Sequence, residues 1–449
     1  MSKNWNKKMN KAFIFFYFSM ALTALFLPLQ NSDAAQRSSL QSIPAQPFHG
    51  VWLIRDPDAQ RITAHLVVHA GEADNPGTEG LAHYVEHLAW LNTGAQDQSN
   101  YDSHSNAWTS AIATGYWLNS SAENLEEILH KLMLVLSPLV VDEQIMLEER
   151  NIILREHDYR LGNNPLSRYA EAFFARLHTH DPRGRSIIGK PEVIRTFSLD
   201  EARQLHANSH CIDNATLLIV GNLTARQLRR ALKSATGDIQ SCHVKPSPLH
   251  YQMTEKGLNE SVTLTDKQTV QHRLFFGTTV QLPTPIDPHA LEAQLQLLKA
   301  VLNSTLPGSL ARPLRFDAHI ANSYELQMSA LDRQHLMLNF FATPDMGISL
   351  EKLLERFEAE LSAIAAAGIP EKTFERIQMR MLRDLGRVSD PLTSSLQHSL
   401  RLIAARTEPQ THEQYIAQIE TVTLEQVNQL IMALAGDGHR VTKFITPQE

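Results

Sequence analysis

His83, Glu86 and His87 are the residues of this chain whose types and spacing most clearly indicate chemistry. Two histidines four positions apart on a helix project from the same face, so both imidazoles can reach one metal ion. Glu86 immediately precedes the second histidine and can take a proton from a water that the metal activates. Turn-forming residues at 77–80, followed by an apolar stripe of helical spacing, favour a helix here. The sequence therefore predicts a hydrolytic site that holds one Zn²⁺ per chain.

A second helix is predicted at residues 143–160, where apolar residues recur with helical spacing. Glu149 and Glu156 lie seven residues apart on it and project from nearly the same side. A hydrolytic zinc ion usually has three protein ligands and one water, so one of these carboxylates can be the third ligand. The other can orient a ligand or the water from outside the coordination shell. Glu148 and His157 are the local alternatives, for which a solvated position is expected.

The two motifs H-Y-V-E-H and E-R-N-I-I-L-R-E together resemble those of the pitrilysin/insulinase family of zinc metallopeptidases, which includes the mitochondrial processing peptidase. The resemblance implies that His83, His87 and Glu156 hold the zinc ion. It also implies that Glu86 is the general base and that Glu149 supports catalysis without being the usual ligand. The segment between the motifs is several residues shorter than in the family, which a trimmed loop explains.

A further match to the family indicates residues that bind the substrate. Asn106, Ala107, Trp108 and Thr109 resemble the family's N-A-x-T-S strand, whose edge holds the substrate backbone. The resemblance implies that a bound peptide adds to this edge as an extra strand, through main-chain hydrogen bonds that tolerate varied side chains. For Trp108, simple packing is at least as strongly expected as contact with the substrate.

Arg315 and Tyr324 are the nearest match to an arginine and a tyrosine with which family members bind substrate from the second half of the chain. Their spacing is longer than in the family, and the acidic, basic and glycine residues between them are missing, so a structural role is equally expected. Half-length relatives work as dimers. The resemblance therefore implies a homodimer, or a heterodimer with a related non-catalytic subunit that can supply such a pair.

The chain contains a repeated pattern that predicts a duplicated domain. Residues 196–205 and 421–430 both read T-x-[S/T]-L-[D/E]-x-x-x-Q-L, and each begins with a helix-capping box. A strand-like segment follows both copies at the same distance. A constant offset of 225 positions places Gly308 opposite His83, in a segment without metal ligands. The second half is thus predicted to be a metal-free relative of the first.

These patterns together predict the fold class and the domain boundaries. Strand-like and helix-like segments alternate in both halves, which is typical of an α+β protein. The family resemblance implies that each domain is a mostly antiparallel sheet with helices packed on one face. The predicted organisation is a signal peptide at 1–35, a catalytic zinc-binding domain at 45–235, a turn-rich linker at 236–252 and a metal-free homologous domain at 253–449.

The beginning of the chain is typical of an export signal. Lysines are followed by an apolar run from Ala12 to Leu29 and then by small residues. Cleavage is expected after Ala34 or Ala35, which predicts a periplasmic or secreted protein. The alternative is an uncleaved membrane anchor, because the apolar run is almost long enough to span a bilayer.

Charge and cysteine content narrow the possible functions further. The net charge is −7, and removal of the first 35 residues takes away four lysines and one aspartate. Such an acidic protein has no general reason to bind nucleic acid. Cys211 and Cys242 could form a disulfide in an oxidising compartment, whereas their surroundings lack the spacing of a structural zinc site.

The leading functional prediction is an exported zinc endopeptidase that hydrolyses peptides or unfolded protein segments. The alternative is a non-catalytic or weakly active peptide-binding subunit of a heterodimeric peptidase complex. Glu86 beside two metal ligands favours the enzyme, because a scaffold needs no such base. The altered segment around Arg315 and Tyr324 favours the alternative, or an obligate partner.

Overall fold

Within the described residues, the first half of the chain folds into six strands and seven α-helices. The computed structural model describes residues 39–94, 105–237, 239, 241–243, 245–253, 259–387 and 391–448, so the predicted signal peptide and part of the predicted linker lie outside it. In chain order the elements are β1 Ser39–Ser42, β2 Gly50–Arg55, β3 Arg61–Val68, α1 Leu81–Asn92, β4 Asn106–Thr109, β5 Thr114–Ser121, α2 Leu125–Met133, α3 Glu143–His157, α4 Pro165–Leu177, α5 Pro191–Ile194, α6 Leu199–Ser209, β6 Ala215–Gly221 and α7 Ala225–Ala235.

The second half contributes five strands and six helices within the described residues. In chain order they are β7 Asn259–Asp266, β8 Arg273–Gln281, α8 Pro288–Leu302, β9 Ala321–Ala330, β10 His335–Pro344, α9 Leu350–Ala367, α10 Glu371–Leu385, α11 Pro391–Ala404, α12 His412–Thr421, α13 Leu424–Ala435 and β11 His439–Pro447. None of the helices in the described ranges is both long and apolar enough to cross a membrane.

The two halves form separate sheets with the same topology. The first sheet has the strand order β1-β2-β6-β3-β5-β4, and the second has the order β7-β11-β8-β10-β9. In the first sheet only β2 and β6 run parallel, and in the second only β7 and β11 do. With β1 set aside, the strands correspond one to one. The fold is therefore α+β and mostly antiparallel, and its architecture is repeated, as predicted.

The early elements of the two halves do not align at the constant offset of 225 positions that was predicted. The capping boxes form as expected: Ser198 pairs with Glu201 before α6, and Thr423 pairs with Gln426 before α13. However, α8 follows β8 as α1 follows β3, so α8 corresponds to the helix of His83. Gly308 lies in the loop after α8. Loops of unequal length shift the register between the halves, because surface connections tolerate insertions.

The first sheet has a helical layer on one face, which is where the core of this half lies. Its buried residues come from alternate positions of the strands, including Leu53, Leu66 and Ile219. They pack against the apolar faces of α1, α2, α6 and α7. Alternation along each strand sends every second side chain to this face. The helix that carries His83 and His87 is thus fixed directly on the sheet.

Each half also places one helix against the other half's sheet. Phe173 of α4, in the first half, packs with Phe275 and Phe341 of the second sheet. In return, α11 of the second half packs through Ile403 on the outer face of the first sheet, beside Leu218. Apart from α4 and α11, the helices that cover a sheet belong to the same half as that sheet and lie on one of its faces, as predicted. The opposite faces are partly covered by this reciprocal exchange.

Cys211 and Cys242 form a disulfide, with their Cα atoms 5.7 Å apart. The bond joins the segment before β6 to the beginning of the predicted linker. Asp213 lies beside it and accepts a hydrogen bond from the Cys242 backbone amide at 3.2 Å. The disulfide that was possible from the sequence is therefore present.

Phe173→Ala should destabilise the protein by about 3–5 kcal/mol, because it leaves a cavity between α4 and the second sheet. Phe173 is fully buried, whereas Phe316 is 54 % exposed, so Phe316→Ala is the matched control with an expected cost within about 0.5 kcal/mol. Urea denaturation followed by circular dichroism measures both. Equal costs for the two variants would contradict the reciprocal packing.

Candidate functional site

Helix α1 presents His83 and His87 on the face that lies opposite α3. It begins after Gly80, whose φ of 87° is left-handed and whose added Cβ would lie 2.7 Å from the Gly189 backbone. Glycine is therefore required at this turn. Val85 and Leu88 are fully buried in the core and hold the helix on the sheet. The two imidazole rings are 4.8 Å apart between centroids.

Helix α3 supplies the carboxylates. It begins at Asp142, whose side chain caps the helix by accepting from the Ile145 amide at 2.9 Å. Tyr84, next to His83, donates its hydroxyl to the Met146 carbonyl at 2.9 Å. This buried hydrogen bond sets α3 against α1. It is a contact that the sequence analysis missed, because an inward-facing tyrosine on an apolar helix face gives no signal of its partner.

His83, His87 and Glu156 converge on one point between the helices. Glu156 Oε2 lies 3.6 Å from His83 Nε2 and 3.9 Å from His87 Nε2. One donor atom from each of the three residues lies within 4.8 Å of the others. Helical spacing accounts for the convergence: the histidines are one turn apart on α1, and Glu156 is in the last turn of α3.

The donor set fits a zinc ion. Imidazole nitrogens and a carboxylate oxygen are common zinc ligands, and three of them leave a position for water. Glu156 Oε2 is buried and accepts no hydrogen bond from the described residues. Arg160 pairs with the same oxygen at 3.2 Å. This ion pair shows that the carboxylate is compensated by positive charge, and the position between the three donor atoms suits a cation as well.

Glu149 contacts His87 from outside the cluster and does not point into the space between the three donor atoms. Its Oε2 lies 2.9 Å from His87 Nδ1. A carboxylate that accepts from one ring nitrogen fixes the tautomer, so that the other nitrogen is available for a metal. Burial acts to lower the pKa of His87, but the hydrogen bond to Glu149 and the charges of Glu156 and Glu86 together raise it to about 9. The site is therefore strongly attractive to positive charge.

Glu86 lies beside the cluster and is oriented by the edge strand. Its Oε2 is 4.0 Å from His83 Nε2 and accepts a hydrogen bond from Thr109 Oγ1 at 2.8 Å. Burial raises the pKa of Glu86 to about 7, against the opposing charge of His87 and the hydrogen bond from Thr109. A carboxyl group with a pKa near neutrality can both accept and donate a proton at physiological pH.

Within the part of the chain that the structure describes, strand β4 is at the edge of the first sheet, where it pairs with β5. Ala107 and Thr109 face α1, where Ala107 is buried and Thr109 contacts Glu86. Trp108 faces the other side, packs over Gly115 and joins the cluster that α11 covers. The structure therefore favours packing for Trp108. Asn106 begins the strand opposite Trp117, and no strand among the described residues pairs with the outer side of β4.

Arg315 and Tyr324 lie in the second half and make local contacts. Arg315 is in the π-helical turn Arg312–Asp317, and its guanidinium carbon is 5.6 Å from the centre of the Phe316 ring. Tyr324 is on the edge strand β9, with its ring against Phe340 in the core. Burial raises the pKa of Tyr324 to about 12, opposed by the charge of Arg315. The two side chains are near each other, and Tyr324 points toward the helical layer.

Glu72 is a further residue that sequence analysis missed. It is fully buried and accepts a hydrogen bond from the Ala82 amide, in the first turn of α1, at 3.3 Å. Arg185 donates to the same carboxylate at 3.0 Å. Gly80 provides no side-chain cap, so Glu72 compensates the positive end of the helix instead. Its position in a turn-rich segment gives no local sign of this role.

Comparison with known proteins yields two family matches that cover separate parts of the chain. Residues 50–183 match the family described as "Insulinase (Peptidase family M16)", and residues 196–381 match the one described as "Peptidase M16 inactive domain". The first match contains the cluster on α1 and α3. The second contains most of the half that the sequence predicts to be metal-free.

Individual relatives and a solved structure agree with these matches. "Zinc protease PqqE" of Helicobacter pylori is 23% identical over 69% of this chain and 70% of its own length. The mitochondrial-processing peptidase subunit beta of Neurospora crassa is 30% identical over 38% of each chain. The periplasmic protease PqqL of Escherichia coli superposes with a TM-score of 0.73 at 15% identity, over 93% of this chain and 48% of that one. This chain thus spans less than half of PqqL.

Glu156→Gln should weaken zinc binding by at least about tenfold, because the site loses a charged ligand while the side-chain shape is kept. Glu148 is exposed on the same helix and accepts a hydrogen bond from Gln144, one turn away. Glu148→Gln is therefore the matched control and should leave zinc affinity unchanged. Competition with a chromogenic chelator measures both. Equal zinc affinity in Glu156→Gln and wild type would exclude this carboxylate as a ligand.

Proposed function

Because the chain belongs to the insulinase family of peptidases, peptidase family M16, we propose that it is a zinc-dependent endopeptidase that hydrolyses peptides or unfolded protein segments. The single observation that carries this proposal is the convergence of His83, His87 and Glu156 beside the carboxylate of Glu86. Three ligands without a base would serve a structural metal equally well. A base with a pKa near neutrality at the cluster supports hydrolysis.

In the proposed reaction His83, His87 and Glu156 hold Zn²⁺, and Glu149 holds the imidazole of His87 in the ligating tautomer. Bound zinc supplies Lewis acidity, which acidifies water and polarises the peptide carbonyl. Glu86 accepts a proton from the attacking water, whose oxygen bonds to the carbonyl carbon. As the carbon–nitrogen bond breaks, Glu86 gives this proton to the departing amine. The second proton of the water leaves the new carboxyl group for the amine, so the products are a carboxylate and an ammonium ion.

Thr109 and strand β4 are proposed to align the substrate with Glu86. Thr109 donates to Glu86 Oε2, which orients the carboxylate. The same strand is the last in the sheet formed by the described residues, and an extended peptide can add to such an edge by main-chain hydrogen bonds. Because Thr109 belongs to the edge strand, one element positions both the base and the peptide. Backbone recognition also explains why the proposed substrates are peptides or unfolded segments, whose main chain is free to pair.

We further propose that the protein is exported and acts with a second chain. The lysine-rich start, the apolar run and the disulfide between Cys211 and Cys242 support an oxidising compartment. A solved neighbour, PqqL, is described as periplasmic, and this chain matches 48% of it. A relative from Neurospora crassa is named as the beta subunit of a processing peptidase. Both findings support a homodimer or a heterodimer with a related subunit.

A non-catalytic, peptide-binding subunit is the second candidate. Two observations favour it: residues 196–381 match a domain described as inactive, and Tyr324 packs against Phe340 rather than standing free for a substrate. The completeness of the donor set and the contact between Glu86 and Thr109 support the enzyme more strongly. The two candidates differ in one measurable property, which is turnover by the zinc-loaded protein.

Glu86→Gln should lower kcat by about 10²–10⁴-fold and leave zinc affinity within about twofold of wild type, because the amide cannot move a proton. A quenched fluorescent peptide library measures turnover, and metal analysis of the same samples measures zinc. Glu148→Gln serves as the control and should retain full activity. Turnover that survives in Glu86→Gln would exclude Glu86 as the base. A zinc-loaded wild type that is inactive with every candidate partner would favour the non-catalytic subunit.

Protein recovered from the cell envelope should begin at Ala35 or Gln36, as expected for removal of a signal peptide. Its native mass should correspond to two chains, because the proposed active form contains a second subunit. Intact-mass and native mass spectrometry of one preparation measure both properties. A retained amino-terminal segment would contradict cleavage, and a single-chain native mass with full peptidase activity would contradict the partner.

A further inference from the structure

Arg406 connects the metal-free half to the segment that precedes α1. It follows α11, has a left-handed φ of 58°, and its side chain is only 10% exposed. Its Nη2 donates to both carboxylate oxygens of Asp74, at 2.7 and 2.9 Å, and to the His69 carbonyl at 3.1 Å. Its Nη1 donates to the Ser247 carbonyl at 3.0 Å. One guanidinium thus joins the end of β3, the turn after it and the predicted linker.

Asp74 belongs to a tight turn that is fixed against the first sheet. Asp74 Oδ2 accepts from the Gly71 amide at 3.0 Å. Within the same turn the Glu72 amide donates to the Ser110 carbonyl at 3.0 Å. A Cβ at Gly71 would lie 2.4 Å from that carbonyl oxygen, so the turn packs directly on the loop after β4. The turn therefore has little room to adjust without its partners.

The same turn contacts the beginning of the helix that carries His83. Glu72, two residues before Asp74, accepts from the Ala82 amide and from the Asn75 side chain, which lies 3.1 Å from its Oε1. Ala82 immediately precedes His83. A displacement of Asp74 would therefore displace Glu72, and with it the cap of α1. Short, charge-assisted hydrogen bonds are the strongest means of preventing such a displacement.

We propose that Arg406 is a positioning residue for the site on α1, acting through Asp74 and Glu72. The metal-free half thus has a direct part in holding His83 and His87 in place. That this site binds zinc rests on the proposed function, whereas the effect of Arg406 on the start of α1 is independent of it. An exposed ion pair contributes little to stability, but Arg406 is largely buried and its guanidinium satisfies acceptors on three segments.

The test compares Arg406→Met with Arg176→Met. Arg176 also joins the two halves, through an ion pair with Glu260 at 2.8 Å, but it contacts no residue of the 71–80 segment. Arg406→Met should weaken zinc binding by about tenfold, the lower end of the effect of altering groups outside the coordination shell. Arg176→Met should leave zinc affinity unchanged. Chelator competition on full-length protein measures both variants.

A second measurement requires no metal. In the metal-free protein, hydrogen exchange of the amides of residues 81–85 should be about tenfold faster in Arg406→Met than in Arg176→Met, because the helix start opens more often. Asp74→Asn should reproduce the effect, and the double variant should add little to it. Arg406→Lys should restore slow exchange only in part, because a lysine ammonium cannot reach all the acceptors that the guanidinium of Arg406 reaches.

The outcomes separate this inference from the proposed function. If Arg406→Met changes neither zinc affinity nor exchange at residues 81–85, or changes them no more than Arg176→Met, the positioning role is wrong. If wild-type protein binds no zinc while exchange still responds to Arg406→Met, the positioning role stands and the proposed function fails. If Arg406→Met and Arg176→Met exchange at equal rates and both bind zinc as the wild type does, the proposed function stands and the role of Arg406 is overturned.

Discussion

The structure depends above all on how closely α3 approaches α1. Glu156 can share a point with His83 and His87 only if the two helices are held at a fixed separation and rotation. The hydrogen bond from Tyr84 to the Met146 carbonyl and the contact between His87 and Glu149 both cross this junction. A shift of about 1 Å would be large compared with the roughly 2 Å bonds by which protein ligands hold zinc, so a metal site of this kind requires a fixed junction.

The duplicated architecture divides the work between the halves. With β1 set aside, both sheets have the same strand order and one parallel pair, and the cluster of His83, His87 and Glu156 lies on α1 and α3 of the first half. The second half has an extensive apolar core, with α8 in the place of α1. It also supports the first half: α11 covers the outer face of the first sheet, and Arg406 contacts the turn before α1.

The sequence was sufficient for features that depend on short-range patterns. Helical spacing alone placed His83 with His87 on one face, and Glu149 with Glu156 on one side of α3. The family resemblance was needed to choose Glu156 over Glu149 as the ligand, because both carboxylates project similarly. The contact between Thr109 and Glu86 joins a strand to a helix, and no local pattern encodes that distance.

Long-range contacts account for what could not be predicted. Arg406 and Asp74 are separated by 332 positions, so neither residue carries a sign of the other. An amphipathic helix shows that it has a buried face but not which sheet it covers, so the exchange of α4 and α11 was not foreseen. The constant repeat offset failed at Gly308 because loops of the two halves differ in length. A pattern within one segment carries no information about such differences.

The exchange of α4 and α11 has a consequence for biosynthesis. Among the described residues, α11 covers the outer face of the first sheet, and this helix begins only at Pro391, so the first half stays incomplete until the chain has been made as far as α11. Contacts so distant in sequence slow folding, because the intervening chain must first be ordered. Across the ranges that the structure describes, each sheet thus has a face whose cover comes from the other half, so neither half can bury its apolar surface fully by itself.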